Sequence, residues 1–388
     1  MAVVHDWLTG MRGGEIALEH ILKLVPSADL FTLLHAPGSV SSLIESHNPR
    51  PSFVQHLPMA HRHYRNYLPA FPLAVEQFDL DRYDLIISTS HCAAKAAVPT
   101  GRAFHLCYCF TPMRYAWDQF DAYFGSERVG LWQNYVYRLV MRYFARWDVS
   151  TAGRVQQYIA ISQYVAGRIR RYYNRAADVI YPPVDTDFYK PDGTEPRDYL
   201  VVVSALVPYK RIDLAIDACR LAGVRLRIVG TGPESRSLRE RANSTVEFIT
   251  YLSNDELREL YRGARGFLLT GEEDFGIAPV EAQACGRPVI AFDGGGACET
   301  IEHGDTGLLV ANSTAEEFAD AIESLDDVQF DPLKLHAAAA RFSPAVFQSK
   351  MRSTIENLAT KTSRNFTTDS PADRSHQALR DYSTTNTK

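Results

Sequence analysis

Cysteine is scarce and scattered in this chain. Its 388 residues hold six: Cys92, Cys107, Cys109, Cys219, Cys285 and Cys298. Most sit in apolar surroundings, and no pair has a zinc-like spacing. A disulfide scaffold is thereby excluded, and reduced thiols in a cytoplasmic protein are expected. Long hydrophobic runs are missing too. None approaches ~20 residues, so no membrane span is predicted, and no secretory leader is read at the start. Nor is there an excess of one charge. Lys and Arg number 41 against 46 Asp and Glu, a net of −5, which gives bulk nucleic-acid binding no electrostatic support. Internal repeats are absent beyond two similar α/β halves. What is present is apolar material for two cores, 46% of residues, in a length that suits two domains.

The richest stretch is Gly271 to Gly286, GEEDFGIAPVEAQACG, after the strand-like run Gly266-Phe267-Leu268-Leu269-Thr270. Pro279 suits the first turn of a helix, where its missing N–H costs nothing. Strand, loop and helix in that order put free backbone N–H groups at a helix N-terminus, which binds anions. Gly276 lets a ligand approach the backbone. Glu273 lies in the loop, within reach of a ligand's hydroxyls, and Glu281 is expected in the first helical turn, where the helix dipole favours a carboxylate.

Glu273-Asp274-Phe275-Gly276-Ile277-Ala278-Pro279-Val280-Glu281 resembles the E-x7-E signature of retaining GT-B glycosyltransferases of family 4, and the resemblance extends to about residue 358. It implies two Rossmann-like α/β domains facing across a cleft, at 1–181 on the acceptor side and 182–342 on the nucleotide-sugar side. A C-terminal helix is expected at 343–360, and the polar tail 361–388 is expected to be disordered. The first Glu would meet the donor sugar and the second the ribose. The loop amides of Phe275, Gly276, Ile277 and Ala278 would face the sugar or the diphosphate.

The resemblance extends to other turns. Gly13 and Gly14 precede a helix and correspond to a Gly-rich loop near donor and acceptor. His91 follows the strand at 83–88, where α/β sheets put ligands, and corresponds to a His that contacts the donor sugar. Lys210 is expected to open a helix beside the diphosphate. The family pairs such a Lys with an Arg at the position of Ala205. A lost charged hydrogen bond costs about 1.5–3 kcal/mol, and Arg211 is the nearby candidate to replace it. Gly230 and Gly232 form a turn near the nucleotide, and Tyr251 falls in a base-contacting segment where Thr250 replaces the usual Gly. Phe110 stands where members often have His. On the acceptor side, Arg114 has two readings, a phosphate contact or an ion pair with Asp118. Lys95 likewise reads as an acceptor contact or a solvated side chain.

Residues 129–148 and 162–175 are predicted helices rich in Arg and aromatics. Arg138, Arg142 and Arg146 share one face, and Asp148 is the one acid between 134 and 175. Such a surface suits either solvent or anionic lipid on the inner face of a membrane. Tyr181 to Phe188, with two prolines, reads as the interdomain linker. The DxD-like Asp79-Leu80-Asp81 and Asp185-Thr186-Asp187 are read as chance, so neither metal nor cofactor is expected. The predicted activity is transfer of a hexose, mannose first, from a nucleotide-sugar to a lipid-linked glycan or other hydroxyl, with retention. The alternative is a nucleotide-sugar-binding protein with little turnover.

Overall fold

The computed structural model describes residues 1–99, 101, 103–117, 120 and 130–368. Its framework is two parallel sheets. Their strands are short and mostly buried, and Leu85–Ser90 is buried at every position. They read as continuous rather than alternating because helices cover both faces of a parallel sheet.

The first sheet contains β1 (Ala2–His5), β2 (Asp29–Thr32), β3 (Arg50–Pro51), β4 (Leu85–Ser90), β5 (Phe104–Cys109), β6 (Gln157–Ala160) and β7 (Ala177–Val179), in the order β3-β2-β1-β4-β5-β6-β7. The second contains β8 (Leu200–Val203), β9 (Leu226–Val229), β10 (Val246–Ile249), β11 (Gly266–Leu269), β12 (Val289–Phe292) and β13 (Gly307–Val310), in the order β10-β9-β8-β11-β12-β13. In both, strand order reverses beside the first strand, between β1 and β4 and between β8 and β11. A parallel sheet opens a crevice there, beyond its carboxyl ends. Register decides which residues meet in it. His5 lies opposite Thr89, so Asp6 and His91 leave the first sheet side by side. Leu200 lies opposite Gly266 and Val201 opposite Phe267, so the chain after Val203 and the chain after Leu269 leave the second sheet together.

Helix α1 spans Gly13–Leu24, α2 Leu131–Thr151 and α3 Gln163–Tyr173. Ser162 caps α3 by accepting the Val165 N–H, a standard way to satisfy a free donor of the first turn. Strands β6 and β7 were not anticipated from the sequence. The second half adds α4 (Ile212–Leu221), α5 (Asn254–Gly263), α6 (Ile277–Ala284) and α7 (Ala315–Glu323). The last helix, α8, runs Pro344–Thr368. It passes residue 360, so the start of the tail expected to be disordered is helical, and residues 369–388 lie outside those described. Among the described residues no helix is long and apolar enough to cross a membrane.

The chain passes between the halves twice. At the first crossing the Tyr181 ring packs on Phe275 and Phe342, and Val184 N–H donates to the Phe342 carbonyl at 2.9 Å. At the second, α8 returns to the first half. Phe347 meets Tyr108 edge-on, and Gln348 bonds His20 at 2.9 Å.

Candidate functional site

The two crevices face each other, and each has its own construction. On the first side, the Asp6 carboxylate accepts the backbone N–H groups of His91, Cys92, Ala93 and Ala94, at 2.6 to 2.9 Å. It also pairs with His91 Nδ1 at 3.1 Å. Burial pushes this carboxyl up, but the charge and hydrogen bonds of His91 and the Ala94 amide outweigh it. The net shift is far below the usual carboxylate range. Trp7 meets the imidazole edge-on at 4.4 Å. His91 therefore stands in a fixed orientation, which a catalytic or sugar-binding imidazole requires. Beside it, buried His5 bonds Thr89 Oγ1 at 2.7 Å and lies 3.8 Å from Glu15. Glu15 in turn accepts the Arg12 N–H at 3.1 Å, which holds the glycine loop at the start of α1.

On the second side, Pro208–Lys210 forms a 3-10 turn, and Arg211, at φ +51°, caps α4. Lys210 thus ends a turn rather than opening a helix. Arg211 pairs with Asp213 at 3.3 Å. The β11 loop lies directly on this turn. Thr270 Oγ1 donates to the Arg211 carbonyl at 2.7 Å, and a Cβ on Gly271 would come within 2.5 Å of the Tyr209 carbonyl oxygen. The contact brings Lys210 Nζ against the Glu273 carboxylate. Burial, and after it the charge of Arg114, push the Lys210 ammonium down to about 7, and the Asp274 carboxylate works the other way.

After Glu273 the loop enters α6 through Gly276, at φ +88° and without a capping side chain, so the N-cap leaves the first-turn amides to another partner. The helix starts at Ile277, which puts Glu281 in the second turn rather than the first. There the Tyr261 hydroxyl donates to Glu281 at 2.9 Å, and burial raises its carboxyl to about 7. Phe275 contributes backbone only, since its ring is buried against Tyr181 and Phe342.

The glycine loop of α1 spans the gap. A Cβ on Gly13 would lie 2.5 Å from Ile277 Cδ1, and one on Gly14 would lie 3.5 Å from the Phe110 ring. The structure therefore gathers Gly13, Gly14 and His91 opposite Glu273, Gly276, Ile277, Ala278 and Lys210. Gly230 and Gly232 are explained differently. Their missing side chains admit the carbonyls of Ser204 and Leu206, so they let the β8 and β9 loops touch. Tyr251 is 80% exposed at the end of β10.

One acceptor-side expectation needs correction. Lys95 is neither solvated nor turned to an acceptor: it is 1% exposed, 3.0 Å from Asp148 Oδ1 and 2.9 Å from Thr151 Oγ1. The lone acid of its region answers a buried cation. Arg114 donates to Asp274, with its Nε at 2.7 Å from Oδ2, and lies over the Tyr209 ring; Asp118 lies outside the described residues. The sequence reading also passed over Asp6, Glu15, Asp274 and Glu299. Glu299 accepts the N–H groups of Gln163 and Tyr164, both at 2.8 Å, across the gap.

Against this geometry, two family descriptions match end to end: "Glycosyltransferase Family 4" over residues 21–188 and "Glycosyl transferases group 1" over residues 185–340. The chain belongs to glycosyltransferase family 4. Among curated relatives, a GDP-mannose-dependent alpha-(1-6)-phosphatidylinositol monomannoside mannosyltransferase of Mycobacterium tuberculosis is 33% identical over 196 residues, 42% of this chain and 51% of that protein. A D-inositol 3-phosphate glycosyltransferase of Rhodococcus erythropolis is 31% identical over 192 residues, covering 42% and 43%. The chain spans about half the length of these curated relatives. The GT-B fold is matched over more of it. Anabaena HepE in complex with UDP-glucose aligns with a TM-score of 0.67 over 92% of this chain and 99% of its own, at 21% identity. Sucrose-phosphate synthase of Thermosynechococcus elongatus aligns at 0.71 over 93% and 100%, at 17% identity.

Proposed function

We propose that the chain is a retaining glycosyltransferase that moves a hexose from a nucleotide-sugar to a lipid-linked glycan or other hydroxyl acceptor, without a metal. The carrying observation is the uncapped N-terminus of α6, flanked by Lys210 and Glu273 and meeting the Gly13 loop from the other half. In the reaction, negative charge grows on the leaving diphosphate. Fixed amides and an ammonium aimed at it supply stabilisation with no reorganisation at the moment of transfer. The diphosphate would draw Lys210 from Glu273, freeing that carboxylate for the sugar hydroxyls, and His91 would contact the sugar from the opposite wall. Glu281 would take the ribose, Tyr251 the base, and residues 1–181 the acceptor, with 182–342 as the nucleotide-sugar domain.

GDP-mannose is the first donor to test, supported by the mannosyltransferase relative; UDP-glucose is the second, supported by the HepE complex. Thermal shift and product formation over a panel of sugar nucleotides test the reading. Saturable binding with no transfer or hydrolysis would favour the rival, a binding protein with little turnover, for which Ala205 and the pairing of Arg211 with Asp213 speak.

The acceptor reading has its own support in α2. Trp132 is 76% exposed, and Leu131, Tyr135, Leu139 and Tyr143 are exposed with it, on the helix that carries Arg138, Arg142 and Arg146. Aromatics and arginines together suit a cytoplasmic protein resting peripherally on anionic lipid. Salt-sensitive sedimentation with phosphatidylserine vesicles is expected, and its absence would end this part of the proposal.

A further inference from the structure

Asp274 stands in the signature loop, one residue past Glu273, yet its carboxylate is held by the other half. Oδ2 accepts from Arg114 through Nε at 2.7 Å and through a terminal nitrogen. Oδ1 accepts from Arg168 Nη1 at 2.9 Å, which also donates to Thr111. The Asp274 carbonyl accepts the Ser162 hydroxyl at 2.6 Å. Arg114 follows β5, while Ser162 and Arg168 follow β6, so separate elements of the first sheet converge on one buried acid of the second.

A buried carboxylate is tolerated only with its partners in place. Moving the halves apart removes both arginines together, and Asp274 must then turn to water. Its neighbour Glu273 is the preceding residue, in a loop that Gly296 N–H grips at the Glu273 carbonyl. The loop's shape therefore depends on whether the halves are closed. We infer that Asp274 is a positioning residue, which couples closure of the two halves to the placement of Glu273. Closure that assembles a site in this way ties turnover to the closed state. The catalytic consequence rests on the reading of Glu273 given above; the coupling itself does not.

The test uses the full chain with Asp274→Asn, Asp274→Glu and Arg114→Met. Hydrogen exchange at 271–276 and small-angle X-ray scattering are measured without ligand, and kcat and donor KM are measured with GDP-mannose. Asp274→Asn is expected to speed exchange of the loop about tenfold and to enlarge the radius of gyration. It should lower kcat by about tenfold or more while donor KM stays nearly constant. Asp274→Glu should recover part of kcat, and Arg114→Met, which leaves one arginine, should fall between. Unchanged exchange and dimensions in Asp274→Asn overturn the coupling whatever kcat does, as does a raised KM with kcat intact. If Asp274→Asn does not fold, Arg114→Met decides by the same measurements. If GDP-mannose is not turned over by the unaltered protein, the donor reading fails alone, and exchange and scattering still judge the coupling.

Discussion

The two strand ends that form the cleft share a topology and differ in what holds them. The first is self-contained: Asp6 is satisfied by four amides of the turn it organises, and all its partners belong to one half. The second is assembled from both halves: its loop carries Glu273, but Asp274 is pinned from across the gap. One wall is held within one half, and the other is completed by contacts from across the gap.

The largest effect should come from the second wall. Glu273→Ala and Lys210→Ala are each expected to lower transfer by about 10²–10³ while the protein still folds; unchanged rates in both would remove the site from this cleft. The first wall should answer in stability instead. Asp6→Ala strands four buried amides, each worth about 1–3 kcal/mol, so urea unfolding should shift by several kcal/mol. A shift no larger than that of His91→Ala would contradict the self-contained picture.

pH should separate the walls further. Asp6 is held far below neutrality, whereas Lys210 is pushed down to about 7. As pH rises through 7, Lys210 loses the charge that a diphosphate needs, so kcat/KM for the donor should fall about tenfold per unit. Bound diphosphate favours the ammonium, so kcat itself should fall at higher pH. Coincident profiles would exclude Lys210 as the phosphate contact. The smallest effect concerns Glu281, raised from 4.5 to about 7. A folded-state carboxyl above its unfolded value gives stability present below pH 4.5 and lost as pH rises through 7. The slope is at most about 1.4 kcal/mol per pH unit. Glu281→Gln should flatten it, as read from urea midpoints at several pH values.

What the sequence disclosed follows from range. The β11–loop–α6 unit is local, so an apolar run, a glycine and a proline sufficed to read it, and only the helix start was misplaced. The strand Gln157–Ala160 was missed because four residues between two Arg-rich helices show no period of their own. Partnerships are harder still. Asp274 reaches Arg114 over 160 positions and Arg168 over 106, and no window contains both. Lys95 and Asp148, 53 apart, left a faint trace, since an acid that is alone among arginines invites the question of its purpose. Arg211's placement was not legible, because a left-handed residue does not continue the helix it precedes.

The double crossing of the chain has a mechanical consequence. Residues 181–184 and 342–347 run side by side and are bonded at Val184 and Phe342, like a door hung on two pins. A single tether would let the halves wander in any direction. Two adjacent tethers restrict the directions in which the halves could part, so the Gly13–Ile277 and Arg114–Asp274 contacts are restrained together.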